Sequence, residues 1–476
     1  MTQGPVTVAV VFVVYLAAML LIGLLAYART RDLSDYLLGG RRLGSGVAAL
    51  SAGASDMSGW LLLGLPGYAY LAGLEAGWIA VGLLIGTYLN WRLVAARLRA
   101  ATVAAGDALT LPDYFERRFD DDTRALRVIA AFFILLFFTF YASSGLVAGG
   151  KLFEAVFGLP YLYAVGLGAV AIVAYTFLGG FLAVSWTDVV QALLMLAALI
   201  AVPVAALAQS GAAGLDAGLS AALLNPFTDR NGDALGAIAI VSLLGWGLGY
   251  FGQPHILARF MAIDRIEGLV RARRIAMVWV TLTLTGALLA GLSGIGLIAP
   301  PLAGADSEKV FIALIDLLFH PLLAGVCLAA ILAAIMSTAD SQLLVASAAL
   351  SEDFYKALLR PRAGARELIW VGRGAVVLMA AVALALALNP DARVLELVAY
   401  AWAGFGAAFG PAILLSLHWR AMTRHAALAG MLVGGVTVIV WKQLHGGVFD
   451  VYELVPGFLL SFAVIVLVSR LGPRTA

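Results

Sequence analysis

The chain has 476 residues, of which 63% are hydrophobic and only 12% are charged. A soluble protein of this length needs far more charge to cover its surface, and long apolar runs recur from end to end, so the composition indicates a chain that folds in a lipid bilayer. The net charge of +2 gives no sign of nucleic-acid binding, and a single cysteine, Cys327, excludes an internal disulfide framework and a cysteine metal cluster.

Thirteen apolar segments are long enough to cross a bilayer as helices, since a span needs about 20 apolar residues. They cover residues 5–27, 44–70, 76–96, 125–150, 159–179, 186–208, 235–260, 274–299, 318–348, 367–388, 394–417, 426–443 and 452–470. The first is predicted to be a retained span, because no basic residue precedes it and no cleavage site follows it. Residues 307–317 are predicted to form a short helix outside the membrane. We therefore expect one all-α transmembrane domain over residues 1–476.

The basic residues lie almost entirely in alternate connections between these segments. The exceptions are Lys151, Arg230, Lys309, Arg393 and Lys442. Because Lys and Arg concentrate in the cytoplasmic loops of membrane proteins, this pattern predicts an external N-terminus and a cytoplasmic C-terminus. The expected location is the inner (plasma) membrane, which the chain crosses many times.

Glycine and proline interrupt the second and seventh segments. The second contains six glycines and Pro66, and the seventh contains five glycines, four of them within residues 245–252 just before Pro254. Both residue types weaken a helix, and irregular backbone at membrane depth is tolerated only where it is buried in protein or lines a cavity. Two such segments, five spans apart, predict a five-plus-five inverted-repeat core with a broken first helix in each repeat. Repeat one is 44–208 and repeat two is 235–417, with span 1 and the spans in 426–470 peripheral. Alternatively, the glycines of the seventh segment only allow close helix packing.

An acidic residue, Asp56, lies near the middle of the second apolar segment. A carboxylate there costs about 2.5–3.5 kcal/mol on insertion scales, so such residues usually face the protein interior and mark an ion or proton path. The alternative is a neutral, hydrogen-bonded aspartic acid that only stabilises packing.

A monovalent cation needs several oxygen ligands, and a broken helix provides free carbonyls near Ala54 and Met57. In the ninth segment, Ser337 and Thr338 lie three and four residues after Ala334, so the two hydroxyls and the Ala334 carbonyl share one helix face. The sequence therefore predicts a sodium site between these stretches. Alternatively, the hydroxyls bond back to carbonyls of their own helix.

Further polar residues lie close to these stretches in the sequence. Asp340 and Ser341 follow at once, and Asp188 begins the sixth segment. They form either a second cation position with an exit path, or a helix cap and a water-exposed polar end.

Aromatic residues of three segments are candidates for a substrate pocket. Trp246 and Tyr250 are four residues apart and share a helix face, and Trp60 and Tyr141 could complete an aromatic box. Aromatic rings bury apolar surface while their polar groups orient a ligand, and their faces attract cations, which suits a small zwitterion with an apolar ring. An ordinary packing cluster is the alternative.

The segments SAGASDMSGWLLLGLPG and LAAIMSTADSQLLVASAALSEDFY resemble those of the sodium/solute symporter family, and more narrowly its sodium/proline symporter branch. The likeness extends to GGRRLGS, SWTDVVQ and GWGLGYFGQPHILARFMA and covers nearly the whole chain. It implies an alternating-access symporter that couples the uptake of L-proline to Na⁺ and acts as a monomer in the bilayer. A membrane-embedded enzyme is not expected, because the spans contain no GxGD-like pair, HExxH motif or Ser/His arrangement. A carrier of the same family for another amino acid, a carboxylate, a sugar or a vitamin is the alternative.

The resemblance also implies residue roles. The family's sodium ligands correspond to Ala54, Met57, Ala334, Ser337 and Thr338. Its substrate positions correspond to Trp60, Tyr141, Trp246 and Tyr250, with Ser58, Gln253 and Pro254 beside them. Asp56 and Arg41 match residues linked to coupling. Asp188 and Ser341 match positions where some relatives hold an additional sodium, but Asp340 departs from the serine of those relatives, which argues against a second ion here.

Overall fold

The computed structural model describes residues 4–27, 33–176, 180–216 and 219–472, and it is predominantly α-helical over these ranges. The α-helices, in chain order, are α1 (Pro5–Tyr27), α2 (Leu33–Leu38), α3 (Ser45–Asp56), α4 (Leu65–Ala72), α5 (Gly77–Leu93), α6 (Ala95–Ala104), α7 (Leu111–Arg118), α8 (Ala125–Phe157), α9 (Tyr161–Thr176), α10 (Phe181–Asp216), α11 (Ala237–Gly245), α12 (Pro254–Ala262), α13 (Leu269–Leu297), α14 (Val310–Leu318), α15 (Pro321–Ala348), α16 (Ala365–Leu386), α17 (Val394–His418), α18 (Arg424–Trp441) and α19 (Leu454–Leu471).

Ten helical segments within the described ranges are long and apolar enough to cross a membrane. The predicted all-α membrane class is therefore confirmed. Length and composition alone do not establish thirteen spans, because the apolar helices at 161–171 and 237–252 are shorter. The last three residues of the predicted span 159–179 lie outside the described residues.

Both segments that the sequence predicts to be broken are interrupted. In the first, α3 ends at Asp56, Met57 has φ −86° and ψ 74°, and the π-helix Trp60–Gly64 then leads into α4. In the second, α11 passes into a 3₁₀-helix, Trp246–Gly252. We call residues 54–58, the last turn of α3 and the two residues after it, the first break, and Trp246–Gly252 the second break.

The two broken segments are tied together at one end of the bundle. Leu43, just before α3, forms a parallel bridge with Ile263, just after α12. The Leu43 amide donates to the Ala262 carbonyl at 3.1 Å, and the Leu43 carbonyl accepts from the Asp264 amide at 2.9 Å. The beginning of one broken segment therefore lies beside the end of the other.

The most buried span is the one that begins with α15. In its most apolar stretch 83% of the residues are buried, against 22% for α1. This helix packs against α3, α8 and α10, so it forms the centre of the bundle while α1 lies at its edge. The hydroxyl residues of α15 are therefore held next to the first break, deep inside the protein.

Candidate functional site

The first break and the hydroxyl face of α15 are in direct contact. Ser337 Oγ donates to the Ala54 carbonyl at 2.8 Å, and Thr338 Oγ1 donates to the same oxygen at 3.3 Å. All three residues are buried. Two stretches that are about 280 residues apart in the sequence thus converge on a single carbonyl oxygen. We call Ala54, Met57, Ala334, Ser337 and Thr338 the candidate cation site.

Local bonding of the α15 hydroxyls also occurs. Ser337 Oγ lies 3.2 Å from the Ala334 carbonyl, so one hydroxyl is shared between its own helix and the first break. Ser337 therefore makes the bond to its own helix that the alternative interpretation predicts, and the sodium site stays a prediction. Met57 is fully buried and forms the end cap of α3, where the backbone turns away from the helix. The groups of α3 and α15 that meet here are carbonyl and hydroxyl oxygens, the kinds of group that hard cations bind.

The carboxylate of Asp56 points to the second break rather than to α15. Tyr250 donates its hydroxyl to Asp56 Oδ2 at 2.6 Å, and both residues are buried. Asp56 Oδ1 is buried as well and has no hydrogen-bond partner within the described part of the chain. A buried carboxylate is costly unless its oxygens are satisfied, so this atom remains ready to accept a donor or to contact a cation.

The main-chain carbonyl of Asp56 joins the aromatic residues to the first break. It accepts from Tyr141 Oη at 3.0 Å, from Trp60 Nε1 at 3.3 Å and from the Ser58 amide at 3.1 Å. The Ser58 hydroxyl in turn lies 3.5 Å from the Trp60 amide. Two aromatic side chains therefore hold the backbone of the first break at Asp56, two residues beyond Ala54.

Of the four aromatic side chains predicted to form a box, three bond to Asp56 and the fourth, Trp246, lies beside Trp60. The rings of Trp60 and Trp246 lie 6.0 Å apart, and Tyr141 and Tyr250 bond to the Asp56 carbonyl and carboxylate. All four are buried. We call Trp60, Tyr141, Trp246 and Tyr250 the aromatic pocket. It offers apolar faces together with hydroxyl groups, which can orient a small ligand with charged and apolar parts.

Gln253 and Pro254 connect the second break to α12. Pro254 occupies the first turn of α12, where its fixed φ and missing amide hydrogen cost nothing. The Gln253 amide Nε2 donates to the Gly249 carbonyl at 3.1 Å and to the Trp402 carbonyl at 3.2 Å. These two residues therefore shape the end of the second break.

Arg259 of α12 is the centre of a buried polar cluster. Its Nη2 contacts Asp188 Oδ2 at 3.1 Å and Ser341 Oγ at 2.6 Å, and its Nε contacts Ser51 Oγ at 3.0 Å. Ser341 Oγ also lies 3.4 Å from Asp340 Oδ1. The three polar residues predicted near the cation site are thus brought together, with a guanidinium group among them.

This cluster corrects one part of the sequence interpretation. The charge pattern counted Arg259 as a cytoplasmic connection residue, but its side chain is fully buried. The sequence gives no sign of this, because its carboxylate partner Asp188 is 71 residues away. Asp188, Asp340 and Ser341 are also buried, so they do not form a water-exposed polar end.

Arg41 lies away from the pocket, at the tied end of the broken segments. It follows Gly39 and Gly40, whose φ of 60° lies in the left-handed region that favours glycine. Its guanidinium donates to the Met261 carbonyl at 2.7 Å and to the Ala108 carbonyl at 2.9 Å. Burial and the nearby Arg99 lower the pKa of Arg41, and Asp107 opposes this shift.

Two further residues near the pocket were missed by the sequence analysis. Asn90 of α5 donates to the Tyr250 carbonyl at 3.0 Å, and Trp402 of α17 donates its indole hydrogen to the Trp246 carbonyl at 2.7 Å. Asn90 follows an apolar run and precedes Trp91 and Arg92, so it reads as the polar end of a span. A local sequence pattern cannot identify either residue, since each acts on a distant segment.

Comparison with protein families and sequences finds relatives over the full span of this site. The model of the family described as "Sodium:solute symporter family" matches residues 36–434. The chain is 56% identical to the "Sodium/proline symporter" of Salmonella typhimurium over 471 residues, which cover 97% of this chain and 93% of the relative. It is 50% identical to the "High-affinity proline transporter PutP" of Bacillus subtilis over 455 residues, which cover 95% and 96% of the two chains.

Comparison with solved structures identifies the same fold in a distant protein. A Na⁺-coupled sialic acid symporter, solved in a substrate-bound outward-open state, aligns with a TM-score of 0.79 over 98% of both chains. The sequence identity is 18%, so this likeness describes the architecture alone.

Proposed function

Because this chain belongs to the sodium:solute symporter family, we propose that it is a multi-pass membrane carrier that couples the uptake of L-proline to sodium. The observation that carries the mechanism is the meeting of the first break with α15, where two hydroxyls converge on the Ala54 carbonyl. Ala54 lies only two residues before Asp56. Tyr250 of the aromatic pocket bonds to the Asp56 carboxylate, and Tyr141 bonds to the Asp56 carbonyl.

Sodium binds at the candidate cation site in this proposal. Ser337 and Thr338 both donate their hydroxyl hydrogens to the Ala54 carbonyl. A hydroxyl has lone pairs as well as a hydrogen, so each group can turn and present its oxygen to a cation. Sodium would then lie among the oxygens that now bond to one another, and the carbonyls of Ala54, Met57 and Ala334 would complete its shell.

L-Proline binds in the aromatic pocket. The apolar ring packs on Trp60 and Trp246, while the charged groups face the hydroxyls of Tyr141 and Tyr250 and the carboxylate of Asp56. Ser58, Gln253 and Pro254 lie in or next to the two breaks, close in sequence to these residues. The unpartnered Asp56 Oδ1 suits the secondary ammonium group of the substrate, since a charge-assisted hydrogen bond would satisfy both.

Asp56 couples the two ligands. It follows Ala54 by two residues and accepts the Tyr250 hydroxyl, so an ion that fixes the first break also fixes the carboxylate toward the pocket. Binding of one ligand therefore prepares the site of the other, and by thermodynamic linkage the two affinities rise together.

Transport proceeds by alternating access in a bundle of thirteen spans. Spans two to six and seven to eleven form two inverted repeats, each beginning with a broken helix, and this is supported by the two breaks and by the Leu43–Ile263 bridge between them. The N-terminus is external and the C-terminus cytoplasmic, so this bridge and Arg41 close the cytoplasmic side. The bundle lies in the inner membrane and works as a monomer. Rocking of the core against its surroundings breaks that closure and releases the ligands inward.

Arg259 takes the place of a second sodium in this proposal. Its guanidinium contacts Asp188 and Ser341. A sodium ion bound between these two residues would be repelled by the positive charge of Arg259. Asp188, Asp340 and Ser341 then act in coupling by holding α12 to α10 and α15.

The sodium gradient provides enough free energy for uphill uptake. A tenfold gradient corresponds to about 1.4 kcal/mol, and a potential of about 100 mV adds about 2.3 kcal/mol per charge. At one sodium per proline the sum supports an accumulation of several hundredfold.

Uptake of radiolabelled L-proline into proteoliposomes tests the proposal. We expect an inward sodium gradient to drive accumulation above the external concentration, and a potassium gradient of the same size to give only equilibration. Excess unlabelled proline should compete, whereas a sugar or a dicarboxylate should not. Equal uptake with and without sodium would overturn sodium coupling, and stronger competition by another solute would reassign the substrate.

A further inference from the structure

The second break carries half of the aromatic pocket on irregular backbone. Trp246 begins the 3₁₀-helix and Tyr250 lies four residues on. A 3₁₀-helix has poorer hydrogen-bond geometry than an α-helix, so its orientation depends on contacts from outside the segment. What holds this segment in place therefore decides where the two pocket rings lie.

Each pocket ring of this segment is anchored at its own main-chain carbonyl by a donor from another helix. The Trp246 carbonyl accepts the indole hydrogen of Trp402 at 2.7 Å, and the Tyr250 carbonyl accepts the amide of Asn90 at 3.0 Å. Asn90 belongs to α5 and Trp402 to α17, and both side chains are buried. The segment is therefore held at two points by two different elements.

Trp402 makes further contacts with the second break. Its ring meets that of Tyr250 edge to face at 5.0 Å, and its carbonyl accepts the Gln253 amide at 3.2 Å. Gly249 leaves just enough room for the indole, because a Cβ there would lie 1.9 Å from Trp402 Nε1. A glycine at this position and a tryptophan on α17 thus fit each other closely.

The anchored segment places the Tyr250 hydroxyl 2.6 Å from Asp56 Oδ2 and the Trp246 ring 6.0 Å from that of Trp60. A small rotation of the segment would move the hydroxyl at the far end of the tyrosine ring more than it moves the backbone. Small misplacements of such contacts are costly for binding. We infer that Asn90 and Trp402 are positioning residues for the substrate, acting through Tyr250 and Trp246. This inference rests on the proposed function.

The test uses Asn90→Leu and Trp402→Phe in the purified full-length chain. Each removes one donor, and leucine keeps the branched shape of asparagine while phenylalanine keeps an aromatic ring in a smaller volume. We expect the Kd for L-proline at saturating sodium to rise about fivefold to tenfold in each, the factor for the loss of one buried hydrogen bond. The sodium concentration that gives half-maximal thermal stabilisation in the absence of proline should not change. A general structural defect would weaken the sodium response too.

Trp78→Phe is the matched control. The Trp78 indole donates to the Pro226 carbonyl at 2.7 Å, the same bond at the same distance, away from the pocket. This variant should bind proline as the wild type does. Gly249→Ala provides a second route, since it displaces Trp402 without altering it and should weaken proline binding in the same way.

The outcomes separate the two proposals. Wild-type protein that binds no proline at any sodium concentration would overturn the proposed substrate and this inference with it. Wild-type protein that binds proline, with unchanged Kd in Asn90→Leu, Trp402→Phe and Gly249→Ala, would overturn this inference alone. A parallel loss of the sodium and proline responses would also contradict it.

Discussion

The two breaks are held by different chemical groups. At the first break, the Ala54 carbonyl receives two hydroxyls, from Ser337 and Thr338. At the second, the carbonyls of Trp246 and Tyr250 receive an indole and an amide N–H. A hydroxyl can donate a hydrogen or offer a lone pair, whereas the N–H groups of tryptophan and asparagine only donate.

The difference between hydroxyl and N–H donors suits the two breaks to different roles, ion binding at the first and positioning of aromatic rings at the second. The hydroxyl-bound break can rearrange when a cation arrives, because its donors can become ligands. We expect the break bound by N–H groups not to bind sodium and to keep its aromatic residues in fixed positions. Asp56 connects the two, since it ends the helix of the first break and accepts the hydroxyl of Tyr250 in the second.

The largest effect is expected at the buried ion pair that joins α12, which follows the second break, to α10. Arg259→Met leaves Asp188 buried without its partner, and the loss of one member of a buried ion pair costs about 3–5 kcal/mol. Thermal unfolding of the purified protein should show a large fall in the midpoint temperature. Arg362→Met, at an exposed position, is the matched control and should unfold like the wild type.

A second substitution sharpens that test. Adding Asp188→Leu to Arg259→Met removes both charges, and apolar replacement of a buried pair is often close to neutral. The double variant should regain much of the lost stability. A single Arg259→Met variant as stable as the wild type would show that the pair contributes little.

The second-largest effect is expected at Asp56, which connects the two breaks. Asp56→Asn keeps the volume but removes the charge that accepts the Tyr250 hydroxyl and faces the substrate. Loss of charge-assisted hydrogen bonds predicts a fall of about a hundredfold in kcat/KM for sodium-driven proline uptake. Asp391→Asn, at an exposed carboxylate, should leave uptake unchanged. Wild-type uptake by Asp56→Asn would remove this carboxylate from the coupling.

Removing a hydroxyl at the first break is expected to have a smaller effect, and one that is selective for sodium. Thr338→Val removes one oxygen at nearly constant volume, and we expect the sodium concentration for half-maximal uptake to rise about tenfold, or about 1.4 kcal/mol. Thr338→Ser retains the hydroxyl and should behave like the wild type. Ser347→Ala, also buried on α15, controls for a loss of hydroxyl elsewhere on the helix. An equal sodium shift in Ser347→Ala would contradict the assignment.

The smallest effect is expected at Tyr141. Tyr141→Phe loses the hydrogen bond to the Asp56 carbonyl but keeps the ring, so the KM for proline should rise about fivefold with little change in the sodium requirement. Uptake kinetics at several sodium concentrations measure both quantities. Tyr163→Phe removes an exposed hydroxyl and serves as the control. A KM equal to that of the wild type would place the Tyr141 hydroxyl outside the substrate site.

Much of this architecture is visible in the sequence. Apolar length predicts α1 at 5–27 and the span of α17 at 394–417 almost to the residue, because hydrophobic thickness dictates helix length. Interruption near residues 54–57 follows from its glycines and from a charge at membrane depth. The spacing of Ala334, Ser337 and Thr338 places three groups on one face of a helix that is regular there.

The amino-acid sequence does not reveal the polar contacts between residues that are far apart along the chain. Lys151 reads as the end of a span, yet it is buried and pairs with Glu308 at 2.5 Å, and α8 continues to Phe157. Arg259 likewise follows an apolar run, so the sequence alone suggests that it lies in a connection between spans. A polar residue near the end of an apolar run is read as interfacial, and only the position of a partner far along the chain shows that it is buried.

We expect sodium to bind at the first break and not at the second. Equilibrium binding of radioactive sodium to the purified protein without proline tests it most directly, with the double variant Ser337→Ala/Thr338→Val compared against Asn90→Leu. We predict saturable binding by the wild type and by Asn90→Leu, and at least about a tenfold weaker affinity in the double variant. Unchanged sodium affinity in the double variant, or a loss in Asn90→Leu instead, would contradict the account.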